Sequence, residues 1–238
     1  MKEAKLKVTL LSSTIEPERT IVAAIRQCYS ALSGKDLWDK VTEDQKARLI
    51  AQIVSSGHTS TIEHASFTFA IEGVSRALTH QLVRHRHASY SQKSQRYVKE
   101  GGFEYILPPK IAENAEAKKL YLDELIEIQE KYQKMLDLGI PAEDARMLLP
   151  NGCETKIVVT MNCRALFNFF EERLCNRAQW EIRHMAAMML KECKKVAPIV
   201  FKYAGPTCVT ENICWQGKLH CGKPDKIKTI ELRERGVM

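Results

Sequence analysis

The sequence lacks the glycine-rich loops with which many proteins hold a nucleotide. Neither the GxGxxG pattern of a dinucleotide-binding βαβ unit nor the GxxxxGK(S/T) pattern of a phosphate loop occurs in its 238 residues. The GxSxG turn that exposes a nucleophilic serine is absent as well. A phosphate-bearing ligand must therefore be held by side chains, and nothing in the sequence favours covalent catalysis by serine or cysteine.

Long apolar runs are also missing. No run approaches the roughly 20 residues that a helix needs to cross a bilayer, which excludes a membrane-spanning protein. The apolar patch in residues 1–13 is too short and too polar for a signal sequence, and its alternation predicts a strand. The hydrophobic content of 45% is ordinary for a globular protein, so we expect a cytoplasmic protein without a membrane partner.

Cysteine occurs eight times but never as a CxxC pair, and this pattern is typical of packed, reduced thiols in the cytosol. The one cluster consists of Cys208, Cys214, His220 and Cys221. These groups could hold zinc, but their spacing matches no known zinc knuckle, and His58, Glu63 and His64 lack metal-motif spacing too. We predict no metal site. The cluster is assigned to a basic C-terminal extension, residues 205–238, which follows a single domain of residues 1–204.

Hydrophobic periodicity predicts a mixture of strands and helices. Alternating or β-branched apolar residues predict strands over residues 5–12, 65–74 and 155–161. Three- and four-residue spacing predicts helices over residues 16–32, 42–57, 75–83, 117–138, 141–148, 164–174 and 178–193. Ser75 and Asn162 are predicted N-caps, Thr42 and Gln45 form a capping box, and Gly34 is predicted to end the first helix. This arrangement predicts a mixed α/β or α+β domain.

The most polar stretch, residues 84–97, reads RHRHASYSQKSQRY and contains no acid, glycine or proline. The chain carries a net charge of +7, which favours anionic partners. Arginine suits phosphate because its planar fork donates hydrogen bonds in pairs and keeps its charge. Serine hydroxyls are interspersed among these arginines, which predicts a phosphate-binding segment. A solvated basic loop is the plainer interpretation, and a nucleic-acid-binding loop with interleaved aromatic residues is the alternative function.

A second polar group follows the last predicted strand and consists of Asn162, Arg164, Asn168 and Arg173. Arg164 and Asn168 are four residues apart and share a helix face. Amide groups can pair with a nucleobase edge, and Arg173 could stabilise an anionic ring oxygen. Alternatively, Asn162 only caps the helix and Arg173 pairs with Glu171 or Glu172. Taken alone, this group favours the structural interpretation.

On these residues the chain resembles the flavin-dependent thymidylate synthase family. The family signature, RHR followed by a serine and then SxRY, stands here as Arg84-His85-Arg86, Ser89, Ser94 and Arg96-Tyr97. The likeness continues in the family's order and covers roughly residues 5–204. Its other segments are Gly57-His58, Glu63-His64, ARMLLP at 145–150, MNCRALFNF at 161–169 and AQWEIR at 178–183.

The resemblance implies a central, mostly antiparallel sheet flanked by long helices, and a homotetramer whose active sites are shared between subunits. It implies a methyltransferase that converts dUMP to dTMP by reductive methylation. FAD would be the cofactor, and NADPH and methylenetetrahydrofolate would be co-substrates. No enzyme nucleophile attacks the uracil ring in the family, and no nucleic acid is expected as a partner.

The resemblance also implies a role for each matching residue. FAD would be bound by Ser60, Arg84, His85, Arg86, Gln92, Asn162, Arg164 and Asn168. dUMP would be bound by Gln81, Arg84, Gln92, Ser94, Arg96, Arg146 and Arg173. Arg173 would also be catalytic, because it favours the ionised uracil ring and so activates C5, and His58 would lie near the flavin and folate. Family members often have Asn and Glu where this chain has Ser91 and Gln92, so a contact made through the Glu carboxylate is not expected here, whereas backbone contacts are expected to persist.

Overall fold

The computed structural model describes residues 1–222 and 228–229. Its strands are Lys7–Ser13 (β1), Ser66–Ser75 (β2), Ser89–Gln92 (β3), Glu154–Asn162 (β4), Ile213–Cys214 (β5) and Lys228–Thr229 (β6). Its α-helices are Pro17–Gln27 (α1), Gly34–Asp39 (α2), Glu43–Ser55 (α3), Arg76–Leu82 (α4), Pro109–Ala112 (α5), Ala115–Asp137 (α6), Ala142–Ala145 (α7), Cys163–Arg173 (α8), Trp180–Val196 (α9), Pro198–Phe201 (α10) and Thr207–Thr210 (α11). Short 3-10 helices occupy Thr59–His64, Arg146–Leu148 and Gly217–Leu219. Within the described ranges, no helix is both long and apolar enough to cross a membrane.

The main sheet has the strand order β1-β2-β4-β3 and is antiparallel, whereas β5 and β6 pair separately in parallel. Strand β2 follows the alternation of its sequence. Phe67, Phe69 and Ile71 are fully buried, while the intervening residues are partly exposed. The predicted α+β class, with an antiparallel sheet and many helices, is therefore confirmed.

Polar side chains start several helices where the sequence predicts them. Thr42 Oγ1 accepts a hydrogen bond from the backbone of Gln45 at 3.3 Å, and Gln45 Oε1 accepts one from the backbone of Thr42 at 3.3 Å. Ser75 and Asn162 each accept a backbone hydrogen bond from the first turn of α4 and α8. Each such cap satisfies donors that the helix itself leaves unpaired, which contributes about 1 kcal/mol. The predicted caps are confirmed.

Two local features depart from the sequence pattern. The prediction that Gly34 ends the first helix is wrong, because α1 ends at Gln27 and Gly34 begins α2. Ser33 Oγ accepts the backbone hydrogen bond of Asp36 at 3.1 Å, and this cap starts a new helix. The pattern also does not predict β3, since its sequence SYSQ has no apolar face and its place beside β4 comes from tertiary pairing.

The chain forms two compact units, and every strand of the main sheet contributes residues to both. The first unit comprises Met1–Val8, Ala70–Arg84 and Tyr90–Val159. The second comprises Thr9–Phe69, His85–Ser89 and the described residues from Thr160 onward. The boundary proposed at residue 204 stays a prediction, and the extension of residues 205–238 lies partly outside the described residues.

Each unit has its own core. In the first unit, Phe103, Leu125 and Cys153 are buried together, and residues of α6 pack against them. In the second unit, Phe201 makes edge contacts with Phe67 and Phe170, with ring centroids 5.2 Å and 6.1 Å apart. Such aromatic pairs add directional attraction to the burial of apolar area. Strand β4 ends at Asn162 and helix α8 ends at Arg173, and both are candidate functional residues.

Candidate functional site

Arg173 lies at the end of α8 in the second unit and contacts a histidine that is distant in sequence. Its Nε donates a hydrogen bond to Nε2 of His85 across 2.9 Å. Nη2 of Arg173 lies 3.6 Å from a carboxylate oxygen of Glu172, so the ion pair that the structural interpretation predicts is present as well. The side chains of Arg173 and His85 are only 19% and 12% exposed, which makes this a fixed rather than a solvated arrangement.

His85 is held in its neutral form. Burial lowers its pKa, the charge of Arg173 lowers it further, and the carboxylate of Glu172, 3.9 Å away, opposes both effects. Its ring also packs edge-on against Phe169, with centroids 5.0 Å apart. A neutral ring that accepts at Nε2 carries its proton on Nδ1. His85 therefore acts as a hydrogen-bond acceptor that orients the guanidinium of Arg173.

The start of α8 presents a row of donors in the same unit. Asn162 uses its Oδ1 to accept from the backbone of Ala165 at 2.8 Å, so its amide N–H groups remain for a ligand. Two residues later, Arg164 donates from Nη1 to Glu63 at 3.1 Å, with both side chains nearly half exposed. Asn168 is exposed on the same face. The cap predicted for Asn162 is thus present, and it favours donation over acceptance in any ligand contact of this side chain.

The 3-10 helix Thr59–His64 packs against α8. Two neighbouring segments of the second unit therefore carry residues predicted to bind flavin. Ser60 is exposed on this 3-10 helix, and Arg86 is exposed in the segment after α4. His58 is exposed as well, with its Nδ1 3.3 Å from the hydroxyl of Ser56. These groups lie at the surface, where a ligand can reach them.

In the first unit, Gln92 is held by its side-chain amide. Its Nε2 donates to Thr79 Oγ1 at 3.1 Å and to Thr155 Oγ1 at 3.2 Å. The hydroxyl of Thr79 donates in turn to the carbonyl oxygen of Arg76 at 2.8 Å. A glutamate in place of Gln92 has no N–H group with which to make either contact. The threonine pair therefore matches the amide that this chain carries at the position.

Glu143 connects two arginines that the sequence assigns to dUMP. Its carboxylate accepts from Arg96 Nε at 2.9 Å, and its backbone carbonyl accepts from Arg146 Nε at 3.0 Å. The backbone N–H of Arg96 donates to Ser94 Oγ at 3.2 Å, which folds these two residues into one turn. The sequence offers no signal for Glu143, because 47 residues separate it from Arg96.

The other two predicted residues of the first unit lie at the end of α4. The backbone N–H of Arg84 donates to the carbonyl of Gln81 at 3.4 Å, and the side chain of Arg84 is exposed. A cation is favoured at this position because the helix ends there with unpaired carbonyl groups. The set predicted for dUMP thus lies in the first unit, with Arg173 as its member in the second.

The cysteines form no preformed metal site in the part of the chain that the structure describes. No group of three or more His, Cys, Asp and Glu side chains there is arranged to hold a metal ion. Cys175, Cys208 and Cys214 line a groove of about 360 Å³ together with Arg173. Burial raises the pKa of Cys208 and, to about 12, that of Cys153. These thiols are therefore protonated and weakly nucleophilic near neutral pH.

Comparison with known proteins gives consistent matches along nearly the whole chain. The family model described as "Thymidylate synthase complementing protein" matches residues 9–199. A flavin-dependent thymidylate synthase of Clostridium tetani is 46% identical over 97% of this chain and 99% of its own length. One of Geobacter sulfurreducens is 45% identical over 98% of this chain and 100% of its own length. Both alignments extend beyond residue 204.

A solved structure shares the fold. It is a UMP/dUMP methylase, PolB, from Streptomyces cacaoi, with 5-Br dUMP bound. The TM-score is 0.76 over 85% of this chain and 96% of that chain, with 24% sequence identity.

Proposed function

Because the chain belongs to the flavin-dependent thymidylate synthase family, we propose that it converts dUMP to dTMP by reductive methylation. In this proposal the one-carbon unit comes from methylenetetrahydrofolate, and NADPH is the reductant. The relatives are named for the same flavin-dependent activity. The nucleic-acid-binding alternative has no support among the comparisons or in the contacts of residues 84–97.

The observation that carries the proposal is the fixed guanidinium of Arg173. Its Nε is occupied by neutral His85, which leaves N–H groups on its Nη atoms for a ligand. A uracil ring that is to react at C5 must build up negative charge, and a ring oxygen receives much of it. Donors that are oriented beforehand stabilise such a charge without reorganising during the reaction. Arg173 is the catalytic residue in this proposal, and no enzyme nucleophile is required.

The donor-rich residues of the second unit fit FAD. Arg164 and Asn168 share one face of α8, Asn162 caps the start of that helix, and Arg86 and Ser60 are exposed in the same unit. A pyrophosphate and an isoalloxazine edge are rich in acceptors, so amide, hydroxyl and guanidinium donors suit them. We assign FAD to these residues with Arg84, His85 and Gln92, and we place His58 near the flavin and the folate. Bound FAD supplies the hydride chemistry that amino-acid side chains cannot perform.

The residues assigned to dUMP fit a phosphate monoester. Arg96 and Arg146 supply guanidinium groups, and Ser94 supplies a hydroxyl in the same turn as Arg96. Charge-assisted hydrogen bonds of this kind are about twice as strong as neutral ones. We assign Gln81, Arg84 and Gln92 to the same nucleotide. We also propose a homotetramer whose active sites are completed by residues of neighbouring subunits.

The test is release of tritium from dUMP labelled at C5. Purified protein is incubated with methylenetetrahydrofolate and NADPH, with and without FAD. We expect release and dTMP formation only with flavin, and we expect Arg173→Ala to abolish turnover while retaining flavin. Light scattering on the same sample measures the oligomeric state. A colourless protein that takes up no FAD and binds DNA with a steep salt dependence would overturn the proposal.

A further inference from the structure

We propose that Lys93 is a positioning residue that fixes the loop of residues 93–100 for recognition of a nucleoside monophosphate. The inference rests on the proposed function, since Ser94 and Arg96 in this loop are assigned to the dUMP phosphate. Lys93 acts through the loop and does not itself contact the substrate.

The loop is closed by buried charges. Lys93 Nζ lies 3.0 Å from Oε1 of Glu100, at the far end of the loop, and 3.2 Å from Oε2 of Glu154, at the start of β4. The two glutamate side chains are only 6% and 5% exposed. Removal of one partner from a buried ion pair leaves an uncompensated charge, so such pairs hold their geometry firmly. The ammonium therefore joins both ends of the loop to the sheet.

Both carboxylate residues are anchored a second time. Glu154 Oε1 accepts from the backbone of Gly73 in β2 at 3.0 Å. The backbone N–H of Glu100 donates to the hydroxyl of Tyr132, which is fully buried in α6. The loop is thus attached to strand β2, strand β4 and helix α6 of the first unit. Movement of Lys93 would break its contacts with two glutamates that are themselves anchored on these elements.

The positive charge of Lys93 is paired with the two carboxylates of this network. Burial lowers its pKa, but the hydrogen bond and charge of Glu100, with the charge of Glu154, outweigh burial and raise the pKa above its ordinary value. The side chain is therefore a full cation at neutral pH, shared between two carboxylates. A cation held in this way is not available to a phosphate, which leaves Arg96 and Ser94 as the groups that bind it.

A loop that is ordered before binding loses less entropy when the ligand arrives. If the network orders the loop, its loss must weaken binding of the phosphate more than binding of the nucleoside. This difference separates positioning from a general structural role, because a destabilised fold would weaken both ligands alike.

The experiment uses the flavin-loaded protein and compares dUMP with deoxyuridine by calorimetric titration. Three variants probe the network. Lys93→Arg keeps the cation, and Glu100→Gln removes one of its two carboxylates. The triple variant Lys93→Met, Glu100→Gln and Glu154→Gln removes all three charges of the network. The control is Lys99→Met, which removes an exposed cation from the same loop.

We expect the triple variant to raise the Kd of dUMP about tenfold with that of deoxyuridine unchanged. We expect Glu100→Gln to give a smaller rise, and Lys93→Arg and Lys99→Met to stay close to the wild type.

An equal rise for both ligands, or an unchanged Kd of dUMP in both Glu100→Gln and the triple variant, would overturn the inference. Failure of the proposed function has a different signature, since the wild-type protein would then bind dUMP no better than deoxyuridine.

Discussion

Nε of Arg173 donates to Nε2 of His85 across 2.9 Å, although the two residues are 88 positions apart in the chain. We expect His85→Gln to preserve much of this contact, because its Oε1 can accept near the position of Nε2. His85→Leu fills similar space but removes the acceptor. A hydrogen bond to a charged group is worth about 1.5–3 kcal/mol. We therefore expect kcat/KM for dUMP to fall about 10- to 100-fold in His85→Leu and much less in His85→Gln.

Flavin content, measured by absorbance after denaturation, is the control for this comparison, because His85 is also assigned to FAD. Equal activity of the two variants at equal flavin content would show that the acceptor is not needed.

The same contact predicts a dependence on pH. The folded-state pKa of His85 is lowered below its ordinary value of 6.5, chiefly by burial and then by Arg173. Above that value the ring is neutral whether the chain is folded or unfolded, so its contribution to stability is complete. As pH falls, the unfolded chain takes up the proton first, which reduces the free energy of unfolding. Protonation in the folded state then removes the acceptor from Arg173, and binding of dUMP weakens.

This loss is measured by titrating dUMP and denaturant at a series of pH values below 6.5 in the wild type and in His85→Gln. As pH falls, we expect His85→Gln to lose less stability and less affinity for dUMP than the wild type, because it has no imidazole at position 85 to protonate. An identical profile for the two proteins would contradict this assignment.

If Arg96 binds the dUMP phosphate as proposed, Glu143 must compete with that phosphate for the guanidinium. Its carboxylate lies 2.9 Å from Arg96 Nε, and both side chains are about half exposed. A pair this accessible contributes at most about 1 kcal/mol to stability. We expect Glu143→Gln to lower the Kd of dUMP two- to fivefold with little change in the free energy of unfolding. Glu127→Gln, which removes a similar surface pair with Lys131, should change neither quantity.

Gly73 occupies a position that no other residue fits. Its φ is +67°, and a Cβ there would overlap the backbone carbonyl of Lys5. Gly139 has a φ of +83° but open space around its missing side chain. We expect Gly139→Ala to cost about 1 kcal/mol, because only backbone strain arises, and Gly73→Ala to cost about 3 kcal/mol or more. Denaturant unfolding of the two variants measures the difference, and equal costs would contradict the clash at Lys5.

Local signals in the sequence identify most of the fold. The alternation of Phe67, Phe69 and Ile71, the capping box at Thr42 and the N-cap at Asn162 each have a cause within a few residues. The prediction fails for β3, whose polar sequence pairs beside β4 for reasons that lie elsewhere in the chain. The general preference for glycine at helix C-termini predicts that Gly34 ends a helix. In the structure Gly34 begins a helix instead, because the hydroxyl of Ser33 caps it.

The candidate residues themselves follow from the family resemblance, which rests on the RHR signature and on several further segments, but their partners do not. Nothing near Arg96 points to Glu143, and nothing near Lys93 points to Glu154, because these contacts depend on how distant segments pack. The departure at Gln92 has a comparable explanation. The hydroxyls of Thr79 and Thr155 accept hydrogen bonds from its side-chain amide. Neither threonine belongs to the signature, so the signature does not reveal why a glutamine stands at position 92.

The cap at the start of α8 sets the hydrogen-bond polarity of whatever Asn162 recognises. With its Oδ1 engaged by the helix backbone, Asn162 offers a ligand mainly its N–H groups. A ring that presents a carbonyl oxygen or an unprotonated nitrogen can pair with it, whereas a ring that presents an N–H edge meets a second donor. The residue that caps α8 thereby also favours one edge of a heterocycle over another. For the same reason it favours the protonation state of the heterocycle in which the facing atom can accept a hydrogen bond.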